Sequence, residues 1–292
     1  MLFACSSACS IAGGCSPRPE KACARAASAL TVCPAGAVVQ GIDVSSYQGA
    51  VSWPQARASG ITFAFARVSD GATVPDAQFA GHWRAMKSAG VIRGAYQFFR
   101  ASEDPTAQAG VALSMLAGAG GREPGDLPLV MDIETADGES DATVRARMAT
   151  WIDAVARGTG APPLVYTNAA TSTVIGAAFA GDPLWVAGWD TTCPTMPGGW
   201  TAWKFWQYSS TGSVAGVPAA VDLDEYNGTL ADLLSFAGGP QRDDAGMVPG
   251  EADAGDAAAS APDASAQATG DAGAAMGSAG AGSPAQSGAC SF

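Results

Sequence analysis

From residue 38 onward, short apolar runs alternate with longer amphipathic stretches. Residues 39–44, 61–68, 91–99 and 127–134 are rich in β-branched, aromatic and other apolar side chains and are bounded by turn residues, which predicts strands. Between them, 53–58, 76–88 and 104–116 carry apolar residues at helical spacing, with Gly90 as a stop signal. The clearest helix is 141–156: Asp141 is the expected cap, and Val144, Met148, Trp151, Ile152 and Val155 share one face. Strands follow at 163–167, 184–189, 203–208 and 219–223, with a short helix within 171–179 and a last one at 230–236. The strand–helix rhythm holds for five units and then lapses, because 190–200 is too rich in Pro, Gly and Thr for a crossover helix. The pattern predicts an α/β fold, a TIM-like barrel whose last part has lost its helices; an open doubly wound sheet is the alternative.

The run Leu127-Pro128-Leu129-Val130-Met131-Asp132-Ile133-Glu134 ends in two carboxylates. Side chains alternate along a strand, so Asp132 and Glu134 point the same way. Active sites of parallel α/β folds gather where strands end. Two acids this close cannot both ionise freely, so one pKa should rise, as a general acid at neutral pH requires. Taken alone, the pair could equally be a strand end whose acids cap the next loop. Two further strands also end near acids, Asp43 in the first and Asp222 in the eighth, which a closed barrel makes neighbours. Tyr47, Tyr96, Tyr166, Trp189, Trp206, Gln207 and Tyr208 stand at or near strand ends. An acidic centre with an aromatic rim fits a sugar cleft: carboxylates act on the glycosidic bond, and flat rings stack on sugar faces. Four acids could instead hold Mg²⁺ or Ca²⁺, but no phosphate-cradling glycine loop or EF-hand spacing accompanies them; no metal or other cofactor is expected.

Composition narrows the classes. The 292 residues are 48% hydrophobic, enough for one sizeable core. A net charge of −12 argues against nucleic acid or an anionic membrane as partner, and no apolar run is long enough for a transmembrane segment. The single histidine, His82, lies among Trp83 and Met86 in a predicted helix and reads as structural. Seven cysteines without C-x-x-C spacing suit an exported, oxidised protein. A Cys33–Cys193 bridge is the favoured pairing, with Cys23–Cys33 as rival. Residues 1–15 read as an export signal without a basic start; Ile11-Ala12-Gly13-Gly14-Cys15 loosely resembles a lipobox, which would lipidate Cys15. Residues 16–37 read as a linker or arm, 38–237 as the catalytic domain. Residues 238–292, rich in Ala, Gly, Ser and Asp, read as a disordered tail carrying half of the net charge. The protein is expected to be monomeric and secreted or periplasmic.

Five segments then carry a family resemblance: Gly41-Ile42-Asp43-Val44-Ser45, Gly94-Ala95-Tyr96-Gln97-Phe98, Val130-Met131-Asp132-Ile133-Glu134, Trp206-Gln207-Tyr208 and Val221-Asp222-Leu223-Asp224. In order and spacing they resemble glycoside hydrolase family 25, the Chalaropsis-type lysozymes, over about residues 38–237. The resemblance implies a (β/α)5β3 barrel and hydrolysis, with retention, of the β-1,4 bond from N-acetylmuramic acid to N-acetylglucosamine in peptidoglycan. By position, Glu134 matches the family's catalytic acid, Asp132 its partner, and Asp43 and Asp222 the acids of the pocket floor. Whether Asp132 is a nucleophile or assists the substrate's own N-acetyl group stays open. Gln97 stands where many members have His, keeping a hydrogen-bonding group near the cleft, and Arg67 where Lys is common. A catalytically inactive wall-binding module and a glycosidase for a related amino-sugar polymer are the alternatives; retention of all four acids counts against the first.

Overall fold

The computed structural model describes residues 30–168 and 170–238. The expected export signal, Cys15, Cys23 and the expected tail beyond residue 238 lie outside the described residues. The strands are β1 (Val38–Val44), β2 (Phe63–Asp70), β3 (Val74–Pro75), β4 (Ile92–Phe98), β5 (Leu129–Asp132), β6 (Leu164–Asn168), β7 (Leu184–Ala187), β8 (Phe205–Gly212) and β9 (Val221–Asn227). The helices are α1 (Trp53–Ala58), α2 (Phe79–Ser88), α3 (Pro105–Gly118), α4 (Asp141–Thr159), α5 (Ser172–Ile175) and α6 (Leu230–Phe236). The strand order is β1-β9-β8-β7-β6-β5-β4-β2-β3, and β1 also pairs with β2, so eight strands close into a barrel with β3 appended to β2. Five helix-bearing connections precede β7, and none separates β7, β8 and β9. This is the expected (β/α)5β3 arrangement.

One strand departs from the expected direction. β9 runs antiparallel to both β8 and β1, whereas every other neighbouring pair of the barrel is parallel. The acid expected at the end of a strand over 219–223 therefore sits at the start of β9. The reversal brings that start to the mouth, where the register pairs Asp222 with Asp43.

Alternation sorts the side chains into two layers. Phe63, Phe65, Val130, Leu164, Trp185 and Phe205 fill the inside. Gly41 pairs with Phe63, and Gly94 with Phe65. A Cβ on either glycine would lie 2.3 Å from the phenylalanine ring beside it, so each ring occupies room that its neighbour leaves. Leu233 of α6 and Ala237 join this inner cluster, and Phe236 packs 5.9 Å from Phe205, closing the end of the barrel opposite the acids. On the outside, Ile42, Ala66, Met131 and Val165 pack against helical side chains such as Trp83, Leu116, Met148 and Trp151.

Helix starts differ slightly from expectation. Ser140 caps α4, its hydroxyl accepting from the Thr143 N–H, and Asp141 falls in the first turn. The helix expected from residue 76 starts at Phe79, because the Asp76 carboxylate accepts from the Gln78 and Ser46 N–H groups and from Arg67. His82 is buried in α2; its Nδ1 accepts from Trp53 Nε1 at 3.3 Å, far from any catalytic arrangement.

The segment from residue 30 is attached, not loose. Thr31 bridges to Thr195, Val32 N–H donates to the Pro194 carbonyl at 3.1 Å, and Trp203 Nε1 donates to the Val32 carbonyl at 2.8 Å. Cys33 and Cys193 are disulfide-bonded, which excludes the Cys23–Cys33 pairing. The bridge closes a long loop, with a sequence separation of 160, so it should stabilise by restricting the unfolded chain. Cys33→Ser is expected to lower unfolding stability by about 2–4 kcal/mol. Denaturant titration checks this, and Cys193→Ser added to Cys33→Ser should cost little more.

Candidate active site

The barrel mouth holds a pocket of about 230 Å³ lined by Asp43, Ser45, Tyr47, Gln48, Arg67, Tyr96, Phe98, Asp132, Glu134, Tyr166, Trp185, Gln207 and Asp222. All four acids expected from the sequence thus meet in one cavity. Asp132 ends β5 on its inner face, and Glu134, two residues on, keeps the same side just beyond the strand. Asp132 is buried and Glu134 exposed, and each carboxyl perturbs the other. The Asp132 Oδ1 meets no donor group, which leaves it to a shared proton or to a ligand N–H.

Across the mouth, Asp43 accepts from Gln207 Nε2 at 2.7 Å. The Gln207 Oε1 accepts from Tyr166 OH at 2.9 Å and Trp189 Nε1 at 3.0 Å. Two donors on the oxygen fix which end of the amide is which, so the NH₂ must face Asp43. Behind Asp43 lies an acid the strand-end argument did not single out, Asp224, fully buried and accepting from Trp185 Nε1 at 2.9 Å. It stood in the last motif without a role. Asp222 and Asp224 are two apart on β9, so the alternation that joins Asp132 to Glu134 also joins them.

Burial and mutual repulsion set the electrostatics. Burial, then the charges of Glu134 and Asp43, push Asp132 well above the usual carboxylate range. Burial also raises Glu134, against the lowering pull of its contact with Asp132 and of Arg100. Burial and Asp222 raise Asp43 well above the usual range, and burial with Glu134 pushes Asp222 up to about 6. Tyr96 and Tyr166 are likewise raised, by burial and then by the acids they face. Among the described residues no three Asp, Glu, His or Cys side chains are arranged to hold a metal ion.

The Asp222 shift implies a stability trend. A carboxyl with a raised folded pKa binds its proton more tightly when folded, so its contribution is full below 3.8 and is lost as pH rises through about 6. Asp222→Asn removes that loss. Its melting temperature at pH 7 is expected to exceed the wild type's by a few degrees, while at pH 4 the two converge. Calorimetry across pH 4–8 checks this.

The aromatic rim divides. Tyr96 and Tyr166 line the pocket wall, and Tyr47, 80% exposed, stands at its edge with the Arg67 guanidinium 5.2 Å from its ring. Trp189, 49% exposed, reaches the site through its bond to Gln207. Three expected rim or cleft residues lie on the opposite face of their strands. Trp206 packs in the outer layer and donates to the Gly188 carbonyl; Tyr208 packs beside it and donates to Gln40. Gln97 is buried outside the barrel, donating to Ser69 Oγ and the Gly71 and Gln108 carbonyls and accepting from Trp151. The cause in each case is parity: Tyr96 and Phe98 on β4, and Phe205 and Gln207 on β8, take the inner positions. Ser45, Gln48, Arg67, Phe98 and Trp185 complete the lining and were not among the expected contacts.

Known proteins resemble this chain in both sequence and fold. Residues 42–217 match the family described as Glycosyl hydrolases family 25. Lysozyme M1 of Streptomyces globisporus is 37% identical over 213 residues, covering 68% of this chain and 71% of that protein. The N,O-diacetylmuramidase of Chalaropsis sp is 31% identical over 219 residues, covering 69% of this chain and all of that protein. The crystal structure of the bacterial lysozyme from Streptomyces coelicolor superposes with a TM-score of 0.64 at 36% identity, covering 68% of this chain and 97% of the other. With residues 42–217 matched and the barrel shared, this chain belongs to glycosyl hydrolases family 25.

Proposed function

We propose that the protein is a lysozyme that cleaves the β-1,4 bond between N-acetylmuramic acid and N-acetylglucosamine in peptidoglycan, with net retention. The observation that carries this is the convergence of Asp132, Glu134, Asp43 and Asp222 in one pocket at the barrel mouth. The names of the relatives, a lysozyme and an N,O-diacetylmuramidase, agree with it.

Glu134 is the acid in this proposal. It is the more accessible member of a carboxyl pair, placed to protonate the leaving oxygen. Neighbouring like charges cannot both ionise readily, so the pair holds one proton between them. When a sugar enters, that proton passes to Glu134, and Asp132 is left as the carboxylate. Direct nucleophilic retention needs two carboxyls about 5–5.5 Å apart. Asp132 and Glu134 instead leave the end of one strand on the same side of the pocket, which favours Asp132 as the group that orients the substrate's N-acetyl arm. Asp43 and Asp222 hold the other side of the floor, and Tyr96 and Tyr166 supply the wall. The Cys33–Cys193 bridge supports a working place outside the reducing cytoplasm. No helix among the described residues is long and apolar enough to cross a membrane.

Mass spectrometry of fragments from digested peptidoglycan tests the bond. Fragments with muramic acid at the reducing end are expected. Glucosamine at the reducing end overturns the muramidase assignment, and wall binding without new reducing ends overturns hydrolysis.

A further inference from the structure

We propose that Asp224 is a positioning residue for this site: it stays a protonated carboxylic acid and donates its hydrogen to Asp43, fixing Asp43 as the ionised, pocket-facing member of the pair. Asp224 is fully buried on β9 and does not line the pocket. Trp185 Nε1 donates to its Oδ1 at 2.9 Å, while its Oδ2 meets no donor. A carboxylate buried with one donor and an empty oxygen is costly, and a carboxylic acid whose hydrogen points to a neighbouring carboxylate is not. That neighbour is Asp43: β1 and β9 pair Gly41 with Asp224 and Asp43 with Asp222, which sets Asp43 diagonally beside Asp224 on the same inner face, and each carboxyl perturbs the other.

The two acids are not equivalent. Asp43 receives the Gln207 amide at 2.7 Å, and that amide is locked by Tyr166 and Trp189. Asp43 also opens on the pocket, where Arg67 is the cationic lining residue. The better-solvated, better-donated acid keeps the charge, and the sealed one keeps the proton. Of the titratable groups facing the pair, Asp222 disfavours ionisation of both acids and Glu134 that of Asp43, so the hydrogen bonds decide which one keeps the charge. Asp222 adds negative charge from β9, and Tyr96 and Tyr166 face Asp43 from β4 and β6. Burial, then Asp43 and Asp222, hold the Asp224 proton in place well above the usual range.

This inference rests on the proposed hydrolysis for its kinetic arm only; a spectroscopic arm stands without it. The infrared spectrum of the full chain at pH 7 should contain a protonated-carboxyl C=O stretch that disappears in Asp224→Asn. A band that survives the substitution unchanged, with none lost, overturns the proposal whatever the enzyme hydrolyses. In turnover, Asp224→Asn keeps a donor to Asp43 and an acceptor for Trp185, and Asp224→Leu keeps neither. The asparagine variant is expected to retain kcat at least tenfold above the leucine variant, with KM similar in the two. If Asp224→Asn is as impaired as Asp224→Leu while its melting curve matches the wild type's, an ionised Asp224 is required and the assignment fails. Should the leucine variant not fold, the infrared band and the asparagine variant's ratio to wild type, expected within about tenfold, still decide.

Discussion

Glu134→Gln is expected to lower kcat on peptidoglycan by about 10²–10⁴-fold, the span a positioned general acid supplies, with KM changed little. Glutamine keeps the shape and hydrogen bonds of the side chain but has no proton to give. Because the acid acts mainly in the transition state, the loss should fall on kcat. Two further signatures separate an acid from a merely structural glutamate. First, an aryl glycoside substrate has a leaving group that needs little protonation, so the same variant should lose far less there. Second, the wild-type rate should decline at high pH as Glu134, raised above 4.5 by burial, gives up its proton; Glu134→Gln should lack that limb. Equal losses on both substrates, or an unchanged high-pH limb, would contradict the acid role.

How far the site could be read in advance depended on parity and direction. Asp132 and Glu134 were legible because the apolar run before them fixes a strand and their spacing of two fixes a shared side. Gly94-Ala95-Tyr96-Gln97-Phe98 was harder. A central strand buried on both faces shows no polar–apolar alternation, so nothing local says whether Tyr96 or Gln97 points inward. The answer lies in Gly94, which must face in to leave room for the Phe65 ring, and it takes Tyr96 and Phe98 with it. The same ambiguity placed Trp206 and Tyr208 at the rim, though Gln207 between them is the inward residue. In the sequence Trp185 is marked only as part of a strand, and its indole N–H gains a role from Asp224 across from it.

The closing strand shows a second limit. Its composition marked it as a strand but not its direction, and direction decides which end reaches the mouth. A short hairpin joins β8 to β9, as antiparallel neighbours allow and parallel ones do not. Residues 213–220 are too few for the crossover a parallel pairing needs, whereas the longer helix-free stretch 188–204 lets β7 and β8 run parallel. The reversal puts the first acid of Val221-Asp222-Leu223-Asp224 at the mouth and the second one layer down. A set of four acids thus becomes five, with Asp224 buried beneath the floor.

The layering bears directly on Asp132. Replacing it with Asn is expected to reduce kcat by about 10²–10³-fold, as for other single groups that stabilise charge at the reacting centre. The size of that loss does not separate a nucleophile from an aid to the N-acetyl group, but its dependence on the substrate does. If Asp132 orients the acetamide, removing the acetyl group from muramic acid should cost the wild type about as much as Asp132→Asn does. Combining the two changes should then add little, because each abolishes the same interaction. A nucleophile predicts the reverse: the deacetylated substrate is still cleaved, the losses multiply, and a 2-fluoro sugar traps a covalent adduct on Asp132. The placement of Asp132 and Glu134 at one strand end argues for the first outcome. Two carboxyls on the same strand end, sharing one proton, approach the sugar from one side of the pocket. An acid and a nucleophile have to stand on opposite sides of the bond they break.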